Sequence, residues 1–427
     1  MKRETLPSSS LTPWSKLNDV TFNGVKIIYS EDKGFSVVVE RSIPLESTVE
    51  NERGPLMVVP FDLLLSAKAV EGHAKLDRDF GALFEAVGDL GKATLDAKMN
   101  RLEAEFDHIR DSTASIPWCQ RLWWNEESDQ QLALDDWILV DAWYRSRALS
   151  FPATGDAMVP CIDMMNHTPG EKTNAYFDRD SDENAIISLP KGKSFQAGDE
   201  VTISYGDAKS ASETLFSYGF IDPNKEFTPN LILDIEIPED DPLKKAKEAV
   251  ATVGAAIRIS YDGQATQSQS LYIWLACVNE EDGMEFQVLQ TNDGQRELKA
   301  FFKGNDITED TTKLFELMTT DPLCEVFRLR AATLAQARVQ EQLQLLDESH
   351  GFVEQAAQGE GISDAARSSA FRLRTLETAL LQQAERDLES KKTSAYQSEA
   401  VQRYLGLLAE EPAMDVVDPQ TEPDDFS

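Results

Sequence analysis

Cys161-Ile-Asp-Met-Met-Asn166-His167 decides how this chain is read, together with Gly198-Asp-Glu-Val-Thr-Ile-Ser-Tyr205-Gly206 and Ser217-Tyr218-Gly219-Phe220 further on. The first is a polar turn closing an apolar run, Met158 to Ile162, that reads as a strand. The second carries the strand Val201 to Ser204, whose β-branched residues favour extended backbone and which ends on Tyr205. The third ends a short helix. Ser210-Ala-Ser-Glu213 has capping-box spacing, in which the Ser hydroxyl and Glu carboxylate each hold a backbone N–H of the first turn, and Gly219 supplies the left-handed exit. Taken alone, an Asn-His pair reads as a buried polar turn whose side chains satisfy each other.

Working outward, the preceding sixty residues read as short strands. Val25-Lys-Ile-Ile-Tyr29 and Phe35-Ser-Val-Val-Val39 flank a turn at Asp32-Lys-Gly34, and Pro55-Leu-Met-Val-Val-Pro60 is a third apolar run. From about Leu63 the period changes to helix. Leu95, Met99, Leu102, Phe106 and Ile109 recur at steps of four and three, which predicts one buried face with Asp96, Lys98, Glu103 and Glu105 toward solvent. A second helix is predicted from Leu134 to Ala148. Strands return at Asn174 to Phe177, Ala185 to Leu189 and Val201 to Ser204, so a β-layer is interrupted by helix and resumed. Leu231-Ile-Leu-Asp-Ile-Glu-Ile237 alternates as a half-buried strand, and the chain beyond it reads as mostly helical to about Leu408. Residues 410–427 are acidic and proline-rich and are expected to be disordered.

The length, 427 residues, allows two or three domains, and 27% charged residues fit a soluble globular profile. No apolar run approaches the roughly 20 residues that cross a bilayer, and the first ten residues lack the apolar core of a signal peptide, so no membrane association is expected. Cys119, Cys161, Cys277 and Cys324 stand far apart, which disfavours a disulfide framework or zinc knuckle and suits a reducing compartment, cytoplasmic and also nuclear. A formal charge of −34, from 75 acidic and 41 basic residues, supplies no basic stripe for nucleic acid. A basic, Lys-rich protein, such as a ribosomal or translation-related one, is the natural complement.

The ordered motifs resemble those of SET-domain protein methyltransferases. The order of elements is similar to the Rubisco large-subunit methyltransferase-like, split-SET group. The resemblance implies an α+β fold: a β-rich SET domain of small sheets with a pseudoknot, interrupted by a helical insert and followed by an all-helical C-terminal substrate-binding domain. The expected divisions are 1–62 and 151–228 for the two parts of the SET domain, 63–150 for the insert, 229–409 for the helical domain and 410–427 for the tail.

The resemblance also implies roles for particular residues. Asp163, Asn166 and His167 match the turn that holds S-adenosylmethionine. Asn can pair with the amino-acid end of the cofactor, and backbone groups at the His can meet the adenine edge. Arg147, in Tyr144-Arg-Ser-Arg147, falls where the family grips the cofactor carboxylate with a planar guanidinium fork, with Arg145 as competitor. Gly34-Phe35-Ser36 takes the place of the first cofactor loop, usually Gly-x-Gly, with Ser36 a departure. Tyr205 is the expected catalytic residue and also borders the cofactor, while Tyr176 and Tyr218 are expected to line the substrate channel. Ala211 stands where the family has Asn, and the insert is short between Leu65 and Ala93. No metal is implied. The expected activity is S-adenosylmethionine-dependent methylation of lysine in a non-histone protein. Histidine methylation, or a catalytically silent interaction protein, remain the alternatives.

Overall fold

A computed structural model of the chain describes residues 7–31, 33–43, 54–70, 95–125, 131–152, 154–222, 225–290, 296–357 and 363–409. The expected tail and most of the short segment of the insert lie outside these residues. The chain forms two compact units, Met1–Asp207 and Ala208–Ser427.

The first unit is built from three small antiparallel sheets. After α1 (Leu11–Leu17), strand β1 (Thr21–Phe22) leads to the hairpin β2 (Val25–Ser30) and β3 (Gly34–Val39). β4 (Met57–Val59) and β5 (Leu65–Ser66) precede helices α2 (Leu95–Thr113), α3 (Pro117–Leu122) and α4 (Leu134–Arg147). Strands β6 (Ala148–Phe151), β7 (Gly155–Met158), β8 (Tyr176–Arg179), β9 (Ala185–Ser188) and β10 (Glu200–Val201) complete it. The sheet orders are β1-β4-β9-β8, β10-β3-β2 and β5-β7-β6. Each sheet therefore joins strands from both sides of the helical stretch. Val37, Met57, Val59, Ile162, Ile187, Val201 and Ile203 form the core between them, each at most 1% exposed. Burying such a side chain contributes about 1.5–3 kcal/mol.

Two expectations for this unit change. Lys98 and Glu105 on α2 are buried, at 8% and 6% exposure, while Met99 is 44% exposed. The helix turns part of its polar face inward because α4 offers partners there: Lys98 Nζ meets Asp141 at 2.6 Å and Trp137 Nε1 donates to Glu105 at 3.2 Å. The strand expected at Asn174–Phe177 starts two residues later. Asn174 and Ala175 are taken up by the other strand: Ala175 N–H donates to Thr202 O at 3.1 Å, and Thr202 N–H donates to Asn174 Oδ1 at 2.7 Å.

The second unit opens with α5 (Ala211–Tyr218), β11 (Asn230–Asp234) and α6 (Lys244–Val250). Strands β12 (Ala256–Tyr261) and β13 (Thr266–Gln269) are followed by α7 (Tyr272–Cys277), β14 (Met284–Gln290), β15 (Arg296–Phe302) and β16 (Asn305–Asp306). Helices α8 (Lys313–Thr319), α9 (Cys324–Glu348), α10 (His350–Ala357), α11 (Asp364–Tyr396) and α12 (Glu399–Ala409) end it. Helix dominates, as expected, but the region is not all helix: two three-stranded antiparallel sheets, β11-β12-β13 and β14-β15-β16, pack into the same core as α9 and α11. β11 answers the alternation read at Leu231–Ile237, burying Leu231 and Leu233, whereas the other strands were not expected, Thr266–Gln269 burying only its first residue. Inside this unit Lys247 is fully buried, its ammonium 2.5 Å from Asp241 and 3.3 Å from the Ala276 carbonyl.

Candidate active site

The motif turn and the Tyr205 strand lie side by side in the first unit. His167 bridges Ile203 in parallel, with Ile203 N–H donating to Asn166 O and Thr168 N–H to Ile203 O, both at 3.1 Å. Met165 and Ile203, each 1% exposed, anchor the crossing from below. Two segments distant in sequence are thus knotted into one surface.

Tyr205 is fixed at three points. Its backbone N–H donates to His167 Nδ1 at 3.0 Å, and its ring stacks on that imidazole with centroids 5.2 Å apart and planes at 26°. Its hydroxyl donates to the Met165 carbonyl at 2.5 Å. Because Nδ1 accepts a hydrogen bond, the neutral imidazole carries its proton on Nε2. With the phenol hydrogen used on Met165, the oxygen keeps the acceptor capacity of its lone pairs.

The turn itself begins at Cys161, a non-glycine residue with φ of 73°. This left-handed step ends the apolar run that reads as a strand to Ile162, and a 3₁₀ turn, Ile162–Met164, follows. Burial pushes the Cys161 thiol up to about 12, so it packs as an apolar group. Arg147, the last residue of α4, donates from Nη1 to Asp163 Oδ2 at 3.2 Å and to Asp163 O at 3.3 Å. Arg145 is committed to Asp141 at 2.7 Å, which separates the two candidate arginines. Burial works to raise the Asp141 carboxyl, but hydrogen bonds from Lys98 and Arg145 hold it below its ordinary value. Asp163 behaves oppositely: burial pushes its carboxyl up, against the pull of Arg147. Its Oδ1 is buried and has no hydrogen-bond partner among the described residues. An unpaired buried acceptor costs about 1–3 kcal/mol, so this atom calls for a donor from a ligand.

Asn166 points its Nδ2 at two acceptors, Glu200 Oε1 at 2.7 Å and the Phe35 carbonyl at 3.4 Å. Glu200 Oε2 in turn receives Lys33 Nζ at 2.8 Å. The Asn166 amide therefore links the Phe35 carbonyl to Glu200 of β10, and Lys33 brings the hairpin turn to the same carboxylate. Gly34, with φ of 71°, opens β3, and Phe35 meets the Tyr29 ring edge-on at 5.3 Å. Ser36, in place of the second glycine, is buried at 4% exposure. The sequence reading singled out neither Glu200 nor Lys33; Glu200 lies within the quoted Gly-Asp-Glu-Val run, but its partner is 34 residues away.

The other aromatic candidates are placed separately. Tyr176 stands on β8 opposite Ser188 and is 48% exposed. Tyr218 belongs to the second unit, at the end of α5, where its hydroxyl accepts from Lys209 Nζ at 2.7 Å and the ammonium lies 4.9 Å from its ring centre. The expected cap of this helix is present: Ser210 Oγ accepts from Glu213 N–H at 3.0 Å, and Gly219 exits at φ of 80°. The Ala211 departure leaves the backbone anchored, since Thr228 Oγ1 accepts from Ala211 N–H at 2.8 Å.

No family model matches the chain. It is 29% identical to SET domain-containing protein 8 of Schizosaccharomyces pombe over 211 residues, 48% of this chain and 47% of that protein. It is 33% identical to the chloroplastic ribulose-1,5 bisphosphate carboxylase/oxygenase large subunit N-methyltransferase of Pisum sativum over 137 residues, 30% of this chain and 28% of that protein. The matched segments thus span less than half the length of these relatives. Among solved structures, the SET domain of LSMT bound to lysine and AdoHcy superposes with a TM-score of 0.61 at 22% identity, covering 95% of this chain and 98% of that one. Rubisco LSMT bound to AdoMet gives 0.56 at 19% identity, over 96% and 98%. The chain thus has the fold of these SET-domain structures, with small sheets in the first unit and a C-terminal helical region, and over 211 residues its sequence is similar to a SET domain-containing protein.

Proposed function

We propose that this chain is an S-adenosylmethionine-dependent protein-lysine N-methyltransferase acting on a non-histone protein. The observation that carries the reading is the turn at Asp163–His167, which sets a buried acceptor without a partner, Asp163 Oδ1, beside the Arg147 guanidinium and directly before the stacked His167–Tyr205 pair. Acceptors and donors so arranged suit the zwitterionic end of the cofactor. The remaining donors of Arg147, which carry no hydrogen bond to the described residues, suit its carboxylate. Gly34, whose missing side chain leaves open space, suits close approach of the hairpin backbone.

When bound, S-adenosylmethionine supplies a methyl group on a sulfonium centre. The chain's part is positional. The Tyr205 oxygen, with its hydrogen turned to Met165, offers lone pairs that can orient a target amine and the approaching methyl in line. A lysine must be neutral to attack, and desolvation in a narrow channel lowers its pKa. On the resemblance, Tyr176 in the first unit and Tyr218 in the second are each assigned as aromatic contacts for the target. The excess of acidic residues favours a Lys-rich protein target, encountered in the cytoplasm or nucleus.

Incubating the purified chain with methyl-labelled cofactor and a cell extract, then locating the label by mass spectrometry, tests this. The expected product is methyl-lysine in one protein. Label on histidine instead would select the other transferase reading, and failure to bind S-adenosylhomocysteine would leave the interaction protein.

A further inference from the structure

We propose that Glu200 is a positioning residue that makes Asn166 an acceptor and so gives the site its selectivity for the amino group of its ligand. The inference rests on the cofactor reading above and concerns the part of the ligand that does not react. It starts from the orientation of one amide. A carboxamide has a donor end and an acceptor end, and which faces where is fixed by its neighbours. At Asn166 the two neighbours of one end, Glu200 Oε1 at 2.7 Å and the Phe35 carbonyl at 3.4 Å, can only accept. That end must be Nδ2. The opposite end is then Oδ1, which accepts no hydrogen bond from the described residues. With Asp163 Oδ1 three residues earlier, a buried acceptor with no partner among the described residues, these two positions of the turn offer oxygens. Oxygens of this kind bind an ammonium and reject a second carboxylate.

Glu200 is what prevents the amide from turning over. If the carboxylate were absent, the Phe35 carbonyl at 3.4 Å would be the one acceptor left to Nδ2 among the described residues, and a flipped amide would present a donor to the ammonium. Glu200 is itself held: Lys33 Nζ grips its other oxygen at 2.8 Å, and the Glu200 backbone carbonyl accepts from Asn174 Nδ2 at 2.8 Å. Lys33 is 58% exposed and Glu200 24%, so solvent screens the lysine charge more than the carboxylate's, and the carboxylate also favours a cation beside Asn166. The ion pair between Lys33 and Glu200 joins the hairpin loop to this device, which a mere strand-end glutamate would not require.

The test compares two ligands by calorimetry: S-adenosylhomocysteine, which carries the amino-acid end, and 5′-methylthioadenosine, which lacks it. In Glu200→Ala, affinity for the first is expected to fall at least tenfold while that for the second changes less than about twofold; a tenfold change corresponds to about 1.4 kcal/mol. Asn166→Ala should give the same pattern, and the double variant should lose little more than either alone. Glu200→Gln, the milder change, keeps an oxygen able to accept from Asn166 and should show a smaller loss confined to the same ligand; it serves if the alanine variant does not fold. Equal losses for both ligands, or additive losses in the double variant, would overturn the positioning role. A wild-type chain that binds neither ligand would instead overturn the cofactor reading.

Discussion

Tyr205→Phe separates what the phenol does for the fold from what it does for the reaction. The ring and its stack on His167, 5.2 Å between centroids, are retained, as is the backbone N–H to His167 Nδ1. The oxygen is lost, and with it the donor to the Met165 carbonyl, on a residue 1% exposed. Leaving a buried acceptor short costs about 1–3 kcal/mol, so the variant should unfold at a lower temperature yet remain folded. In the reaction the loss is larger. A removed electrostatic contact at a reacting centre is worth about 2.7–4 kcal/mol, a hundred- to thousandfold in rate. Single-turnover methylation with saturating target should fall by that factor while S-adenosylhomocysteine affinity stays nearly unchanged. Tyr218→Phe is the comparison, because a wall residue should alter target affinity or the number of methyl groups added. If Tyr205→Phe kept a near-normal single-turnover rate, its assignment as the central catalytic residue would be wrong.

Arg147→Lys exchanges a planar fork for a point charge and should weaken S-adenosylhomocysteine about tenfold in calorimetry, whereas Arg145→Lys, whose partner is Asp141, should not; equal effects would contradict the assignment. Lys247→Met leaves Asp241 buried without its cation and should cost about 3–5 kcal/mol in urea denaturation, with a loss below about 1 kcal/mol meaning the pair is dispensable. Asp141 is held below its ordinary value of 3.8, so its stabilisation is present above that pH and lost as the pH falls through the depressed folded value. The gap in melting temperature between wild type and Asp141→Asn should therefore close on acidification from pH 7 toward pH 3, and a widening gap would refute it. Raising salt should weaken affinity for a basic protein target, measured as a rising KM; no change between low and high salt would speak against charge-guided docking.

What the sequence revealed was local or stepwise. The cap at Ser210 with its glycine exit at Gly219 is written in four residues and one, and the hairpin at Val25–Val39 in two β-branched runs and a turn. The turn and the Tyr205 strand were legible as motifs for the same reason. Their crossing depends on which strand captures Asn174 and Thr168, a competition between registers that alternation does not encode. The inward-facing Lys98 and Glu105 escaped notice because a helix face looks polar until the helix beside it supplies Asp141 and Trp137. In the second unit β11 was legible from the alternation at Leu231–Ile237, but the other strands were hidden by composition: in Arg296–Phe302 only Ala300 and Phe302 are fully buried, so most of the strand reads as surface. Glu200 was visible but mute, since an orienting role exists only once a partner is known.

The pairing of β5 with β7 sets Leu65 opposite Met158 and Ser66 opposite Ala157. The chain thus leaves the sheet and re-enters it through a hydrogen-bonded neck, and everything between is an excursion whose ends are already stapled. Closing a longer excursion adds only about 0.6 kcal/mol per doubling of its length. Among the described residues of this excursion, α4 reaches the site through Arg147, with α2 bracing it through Lys98.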